Sequence, residues 1–387
     1  MRGSGLPVWA AAAAIVLAQG AGSVWAEWAE PDWESVGYTS HSVYQAVDAN
    51  GMGTFWTFVP VKMRGVILNR AEDMLDTRPG ANPGMGGQWQ VFVQTDDPAD
   101  FGGTAMWLGQ NVGKTPGHEH PRDSYSDEAW LAEVARVSRD PATGRAFRPG
   151  DRVEIRARAP GLFRIGKTNI NEQHSIDPRA NFDVILLEAN AGLPAPQVVT
   201  LADLKDASDK FIFDQSRATG PERYQGTVIK IENVSFVDAT GWQPEGKLVI
   251  HDGTGRTFPV LLGRGQGFTR FPPPAAPFDI IGIVDQEDEI EGDGYKDGYR
   301  LWAMNYDGEQ FFLERYVKPD LDRDTDVDGL DLELFLDCET GPAVPQDDPA
   351  CRSADFDGDG DVDQDDFGIF QRCFVGTDGL VDPLCDR

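Results

Sequence analysis

Along residues 59–190, and again along 223–314, short apolar runs alternate with polar positions and are cut by Gly, Pro and Asp. Alternation with period two predicts strands, and the breaks predict turns. The first series places strands at 59–69, 88–95, 104–110, 151–159 and 182–189. The second places them at 223–236, 246–252, 256–263, 277–286 and 299–307. One stretch, DEAWLAEVARV (127–137), has helical spacing instead, with Trp130, Leu131 and Val134 on a shared face and Ser126 as its cap. Residues 191–222 read as a linker and connecting segment, while the Trp-rich stretch 27–58 predicts no regular element. Five strands per series, with Gly65 and Gly226 inside the first strand of each, suit two small closed barrels whose first strand bends.

Within QWQVFVQ, alternation separates Trp89, Val91 and Val93 on one face from Gln88, Gln90, Phe92 and Gln94 on the other. The first set is core. The second is either a face on which a sugar or base could stack, or a solvated face whose one phenyl ring is covered by a loop.

Composition changes the picture at both ends. Residues 1–26 carry Arg2, an apolar run from Val8 to Ala18 and V-W-A ending at Ala26, the pattern of a secretory signal peptide. The run is too short to span a bilayer and no later stretch could, so the chain is expected to be secreted or extracellular. The net charge of −30 is concentrated at the other end: residues 319–387 hold 21 acidic and 4 basic side chains. So acidic a chain lacks the Lys and Arg that avid, nonspecific nucleic-acid binding needs on phosphates. All four cysteines lie in the same region. In an exported chain they suggest disulfides, with three pairings open and zinc as the alternative, although the spacings are too long for CxxC knuckles.

That region repeats. DLDRDTDVDGLD (320–331) and DFDGDGDVDQDD (355–366) place Asp320, Asp322, Asp324, Asp328 and Asp331, and Asp355, Asp357, Asp359, Asp363 and Asp366, at loop positions 1, 3, 5, 9 and 12. Position 7, whose ligand is a backbone carbonyl, is Asp326 and Asp361. Hard oxygen ligands at this spacing wrap calcium, which predicts two calcium sites. The register persists past the loops, since Phe335 matches Phe370 and Cys338 matches Cys373 at a 35-residue offset. The repeat favours Cys338–Cys351 and Cys373–Cys385, each copy closing its own short loop. The buried helix positions should be Leu332, Leu334 and Phe335, matched by Phe367, Ile369 and Phe370. The exposed ones, Glu333, Leu336 and Asp337, differ from Gly368, Gln371 and Arg372.

On these motifs, 320–373 resembles a dockerin: two calcium loops, each followed by a single short helix. The resemblance implies docking of an exported protein onto a cohesin-like or other cell-envelope partner. Thr325 departs from the turn glycine that Gly360 supplies in the second loop. Positions 10 and 11, Gly329-Leu330 and Gln364-Asp365, also differ between copies, so a single docking mode through Leu330 and Leu336 is expected. Less specifically, RYQGTVIKIENVSF with HDGTGRTFPV and PFDIIGIVDQ resembles the tandem OB-fold modules of exported bacterial proteins, over roughly Val59 to Phe312.

Catalytic motifs are sparse. His118-Glu119-His120 lacks the HExxH spacing and lies in a Pro/Gly-rich loop. GRGQG (263–267) has no helix pattern after it to hold phosphate. The acidic run Asp285, Glu287, Asp288, Glu289, Glu291 and Asp293 could supply paired carboxylates for hydrolysis, but precedes a Gly-Asp turn and reads as a hairpin tip. The expectation is therefore a mainly β protein: signal peptide (1–26), N-terminal segment (27–58), first OB-like β-barrel domain (59–190), connecting segment (191–222), second OB-like β-barrel domain (223–314) and a small α-helical, dockerin-like calcium module (315–387). Its role would be noncatalytic binding or assembly, with a polysaccharide as a ligand for the β domains. The rival is an extracellular hydrolase, or an accessory subunit of an extracellular nuclease or polysaccharide-degrading enzyme.

Overall fold

A computed structural model describes residues 30–55, 59–111, 124–159, 166–171, 181–288, 294–324, 326–377, 379 and 381–387, with 162–164 described for backbone alone. The signal-peptide expectation, His118-Glu119-His120, Glu289, Glu291, Asp293 and Thr325 lie outside them. In chain order, α1 (His41–Tyr44) precedes β1 (Val61–Ile67), α2 (Ala71–Met74), β2 (Gln88–Gln94), β3 (Gly103–Gly109), α3 (Asp127–Val137), β4 (Arg152–Ala157), β5 (Leu162–Arg164), β6 (Lys167–Asn171) and β7 (Phe182–Glu188). Then come β8 (Gln197–Val198), α4 (Leu201–Leu204), β9 (Val228–Phe236), β10 (Lys247–His251), β11 (Thr257–Leu262), α5 (Gly267–Arg270), β12 (Phe278–Gln286) and β13 (Tyr299–Ala303). The chain ends with β14 (Asn305–Tyr306), β15 (Phe311–Phe312), α6 (Gly329–Leu336) and α7 (Gln364–Cys373). Each of the ten expected strands has its counterpart.

The protein is mainly β, and its second strand series closes into a five-stranded barrel. β9 pairs with β10, β10 with β11, β11 with β13, β13 with β12, and β12 returns to β9, with only the β11–β13 pair parallel. The first series differs from the expected closed barrel. It is a seven-stranded sheet ordered β5-β6-β3-β2-β1-β4-β7, and no pairing joins its ends among the described residues. Gly65 lies inside β1, between β2 and β4. β1 pairs with β4 from Val61 to Val66 but with β2 only at Val66 and Ile67. At Gly65, one residue before the β2 pairing begins, a Cβ would sit 2.4 Å from the Gln94 carbonyl oxygen. Gly226 is not inside a strand; it precedes β9 with a φ of 72°.

Residues 31–387 form one unit with three cores and a fourth apolar cluster joining two of them. The first core lies against the seven-stranded sheet and takes in Trp130 and Val137 from α3 and Tyr44 from α1. Leu131, expected on that face, is exposed, because helical geometry turns positions 130, 134 and 137 inward together. The second core fills the barrel and includes Val199, Leu201 and Leu204, so the connecting segment is part of the barrel wall. The joining cluster unites Leu68, Phe92 and Ala105 with Val228, Ile283 and Trp302. Phe92 is 1% exposed there and Gln94 accepts the Val228 amide at 2.9 Å. Phe92 and Gln94 thus lie in an internal seam against the barrel, with Gln90 buried and Gln88 half-buried, so this face of β2 is neither an open stacking surface nor a solvated one.

Candidate metal centre

Each acidic loop leads into a helix that its own aspartates start. Asp328 caps α6 and Asp363 caps α7, and each forms a reciprocal capping box with the aspartate three residues on, Asp331 or Asp366. Position 12 also folds the loop back on itself. Asp331 Oδ1 accepts the Leu321 and Asp322 amides at 2.7 and 3.2 Å, as Asp366 Oδ1 accepts those of Phe356 and Asp357 at 2.6 and 3.1 Å. Asp322 accepts from Asp324, Asp324 from Asp326 and Asp328 from Leu330. Asp357, Asp359 and Asp363 do the same for Asp359, Asp361 and Asp365. The 35-residue repeat of the sequence is a repeat of backbone geometry.

These turns gather carboxylates. Asp320, Asp322 and Asp324 place ligand oxygens within 4.8 Å of one another, as do Asp326, Asp328 and Asp331; Asp355, Asp357 and Asp359; and Asp361, Asp363 and Asp366. All twelve residues predicted as ligands therefore sit in such groups, and the position 7 side chains join them although only their carbonyls were expected. Burial and neighbouring carboxylates hold Asp322, Asp331, Asp357 and Asp361 above the usual carboxylate range. Asp361 Oδ1 is buried without a hydrogen-bond partner. Gly360 takes a φ of 100°, a turn open to glycine and strained for other residues. A hard, oxygen-seeking divalent cation fits this donor set.

Two disulfides fasten the repeat, Cys338–Cys351 and Cys373–Cys385, the pairing that the repeat favours. The copies then exchange backbone bonds about a pseudo-twofold: Thr340 and Gly341 donate to the Val362 carbonyl, Val375 and Gly376 to that of Val327. Phe335, Phe356, Val362 and Phe370 fill the core between them. Leu330 and Leu336 are exposed, at 57% and 52%, but Leu334, expected inside, is 42% exposed as well. Helical geometry puts Leu330 and Leu334 about 40° apart on one flank and Leu336 about 120° from Leu330, on the opposite flank.

The other candidates fare differently. Asp285 is fully buried, bonded to Lys167 at 2.6 Å, Arg300 at 2.8 Å and the Trp302 indole at 3.0 Å. Burial pushes this carboxyl up, but the two cations outweigh it and hold it at about 2. It is a structural ion in the seam rather than a hairpin-tip charge. A single helical turn, α5, does follow GRGQG, yet the glycine there serves packing: a Cβ on Gly267 would lie 1.7 Å from the Tyr306 carbonyl oxygen. Sequence reasoning missed Glu222, which accepts the Tyr299 hydroxyl at 2.9 Å and lies 3.9 Å from Arg217. Burial lifts it to about 7 against the pull of Arg217. No spacing signals a pair separated by 77 residues. A polar cleft of about 720 Å³ beside Tyr38, Arg64, Asp96 and Arg152 was likewise invisible in the sequence.

No protein-family model matches this chain, and no curated protein matches it. No helix among the described residues is long and apolar enough to cross a membrane.

Proposed function

We propose that this is an exported, noncatalytic assembly protein whose C-terminal module, residues 315–387, binds two calcium ions and docks onto a cell-envelope partner. The observation that carries the reading is the two acidic loops, which share the hydrogen bonds of positions 3, 5, 9 and 12 at a 35-residue offset and each lead into one short helix. The dockerin resemblance rests on the same architecture. In each loop Asp320 or Asp355 and the acids at positions 3, 5, 9 and 12 would hold the ion, with the carbonyl of Asp326 or Asp361. The ion supplies charge that relieves carboxylate repulsion, so its binding adds to folding stability. Disulfides and the expected signal peptide support an oxidising, extracellular setting. The barrel order β9-β10-β11-β13-β12, with its one parallel pair, supports the OB-like reading of the second β domain.

The docking surface is the first copy. Leu330 and Leu334 present an apolar flank on α6, whereas the matching positions are the charged Asp365 and the buried Ile369. A hydrolase built on the 285–293 run is disfavoured, because Asp285 is committed to Lys167 and Arg300. Isothermal calorimetry on the mature chain should give two calcium ions per chain, and one after Asp355→Ala. Envelope extract should be retained with calcium, not with chelator, and not by the Leu330→Asp/Leu334→Asp variant. Absence of calcium uptake, or retention indifferent to both calcium and the leucines, sinks the proposal.

A further inference from the structure

The two acidic loops share an internal geometry but have different surroundings. The hydrogen bonds of the second loop stay inside the module, running to Thr340, Ala343, Gln346 and Lys318. The first loop reaches out of it. Asp326 Oδ2 lies 3.3 Å from the guanidinium of Arg148, which stands just ahead of β4 in the first β domain. Both side chains are almost wholly buried, at 4% and 3% exposure. Asn190, at the end of β7, donates to the Arg323 carbonyl of the same loop at 3.2 Å.

The contact extends into the tail. Arg148 also donates to the Gly379 carbonyl at 3.3 Å, and Arg70 to that of Val381 at 2.8 Å. This stretch of tail is positioned by the first loop, since Thr377 bonds to Asp328, and Val375 and Gly376 bond to Val327. The first loop thus makes or positions the contacts of Arg148 and Asn190, while Arg270 holds the tail to the barrel separately, through Asp382 and the Leu384 carbonyl.

We propose that calcium in the first loop latches the module onto the β domains, with Arg148 as the positioning residue, while calcium in the second loop stabilises the module alone. This rests on the calcium reading above. The physical basis is direct. Without a cation the carboxylates of a loop repel one another, and loosening residues 320–331 displaces Asp326, Arg323 and the tail together. Loosening residues 355–366 leaves Asp326 on Arg148 and Arg323 on Asn190, although it also loosens α7, to which Cys385 of the tail is bonded. The ion therefore sets whether the apolar flank of α6 is held rigidly on the body or swings on its connection.

Hydrogen exchange on the full mature chain, with calorimetry in parallel, tests this. Chelator should raise exchange at 145–151, and leave the barrel strands at 247–262 unchanged as the control for folding. Asp320→Ala should do the same in saturating calcium, and Asp355→Ala should not. Arg148→Met should open the seam with calcium bound at both loops. If calcium binds but the seam ignores Asp320→Ala, or opens equally in Asp355→Ala, the latch is overturned and the calcium sites stand. If calorimetry detects no calcium, both readings fall.

Discussion

Gly103 and Gly226, from different β domains, lie face to face: a Cβ on Gly103 would meet the Gly226 carbonyl oxygen at 2.0 Å, and one on Gly226 would meet the Gly103 carbonyl carbon at 2.5 Å. The Gly103 amide donates to the Gln225 carbonyl at 2.9 Å beside them. Backbone touches backbone, so there is no side chain to yield. Gly103→Ala should cost about 1–3 kcal/mol in urea denaturation, the usual range for overpacking. Gly37, with nothing near its Cβ position, is the control, and Gly37→Ala should change stability by no more than about 0.5 kcal/mol.

Glu222 makes stability depend on pH in a defined direction. Its carboxyl is raised to about 7 from 4.5, so between those values the folded state holds a proton that the unfolded state releases. Its contribution is therefore complete at low pH, falls as pH rises through this window and levels off above 7. Glu222→Gln keeps an acceptor for Tyr299 and removes the titration. The variant should gain up to about 3 kcal/mol over the parent at pH 8 relative to pH 4.5. Thermal melts across this range, parent and variant side by side, check the slope.

Asp285 should be among the costliest carboxylates to neutralise. Among the described residues, Asp285→Asn leaves Lys167, 5% exposed, with Glu287 at 3.6 Å as its remaining carboxylate. Breaking one side of a buried pair costs about 3–5 kcal/mol. Asp285→Asn/Lys167→Met should recover part of that loss in the same denaturation assay, because no buried ammonium is then left unpaired.

The two disulfides close loops of similar span, 13 and 12 residues, each worth about 3 kcal/mol on chain entropy. They are not equivalent in packing. Cys373 and Cys385 belong to the module core, whereas Cys338 and Cys351 are only half-buried. Replacing Cys373 and Cys385 with alanine should lower the melting temperature more than replacing Cys338 and Cys351. Non-reducing peptide mapping of the parent should return both repeat-local pairs.

Alternation located the main strands because each buries one apolar face, and the acidic repeat was legible because its side chains fix its turns. β6 was not legible. Lys167, Thr168, Asn169, Ile170 and Asn171 are all buried, yet four of the five are polar and show no alternation. They are buried by partners far away in sequence: Asp285 on Lys167, Gln45 on Thr168, and the Tyr44 hydroxyl on the Asn169 carbonyl. Phe92 was misread for a related reason. A face buried against another domain looks, in one strand's sequence, like a face turned to water. Arg148 meets Asp326 178 residues on, and Glu222 meets Tyr299 77 residues on, so no local pattern marks either contact.

The apolar cluster shared by Leu68, Phe92, Ala105, Val228, Ile283 and Trp302 bears on how this chain can be divided. A cut between the sheet and the barrel would turn that strip to water on both halves, and exposed apolar patches aggregate. The two β domains are therefore a single heritable piece. Recombination that borrowed one without the other would yield an insoluble product, whereas the seam of the C-terminal module, built largely of arginines on carbonyls and carboxylates, is one that gene shuffling could open and still leave soluble parts.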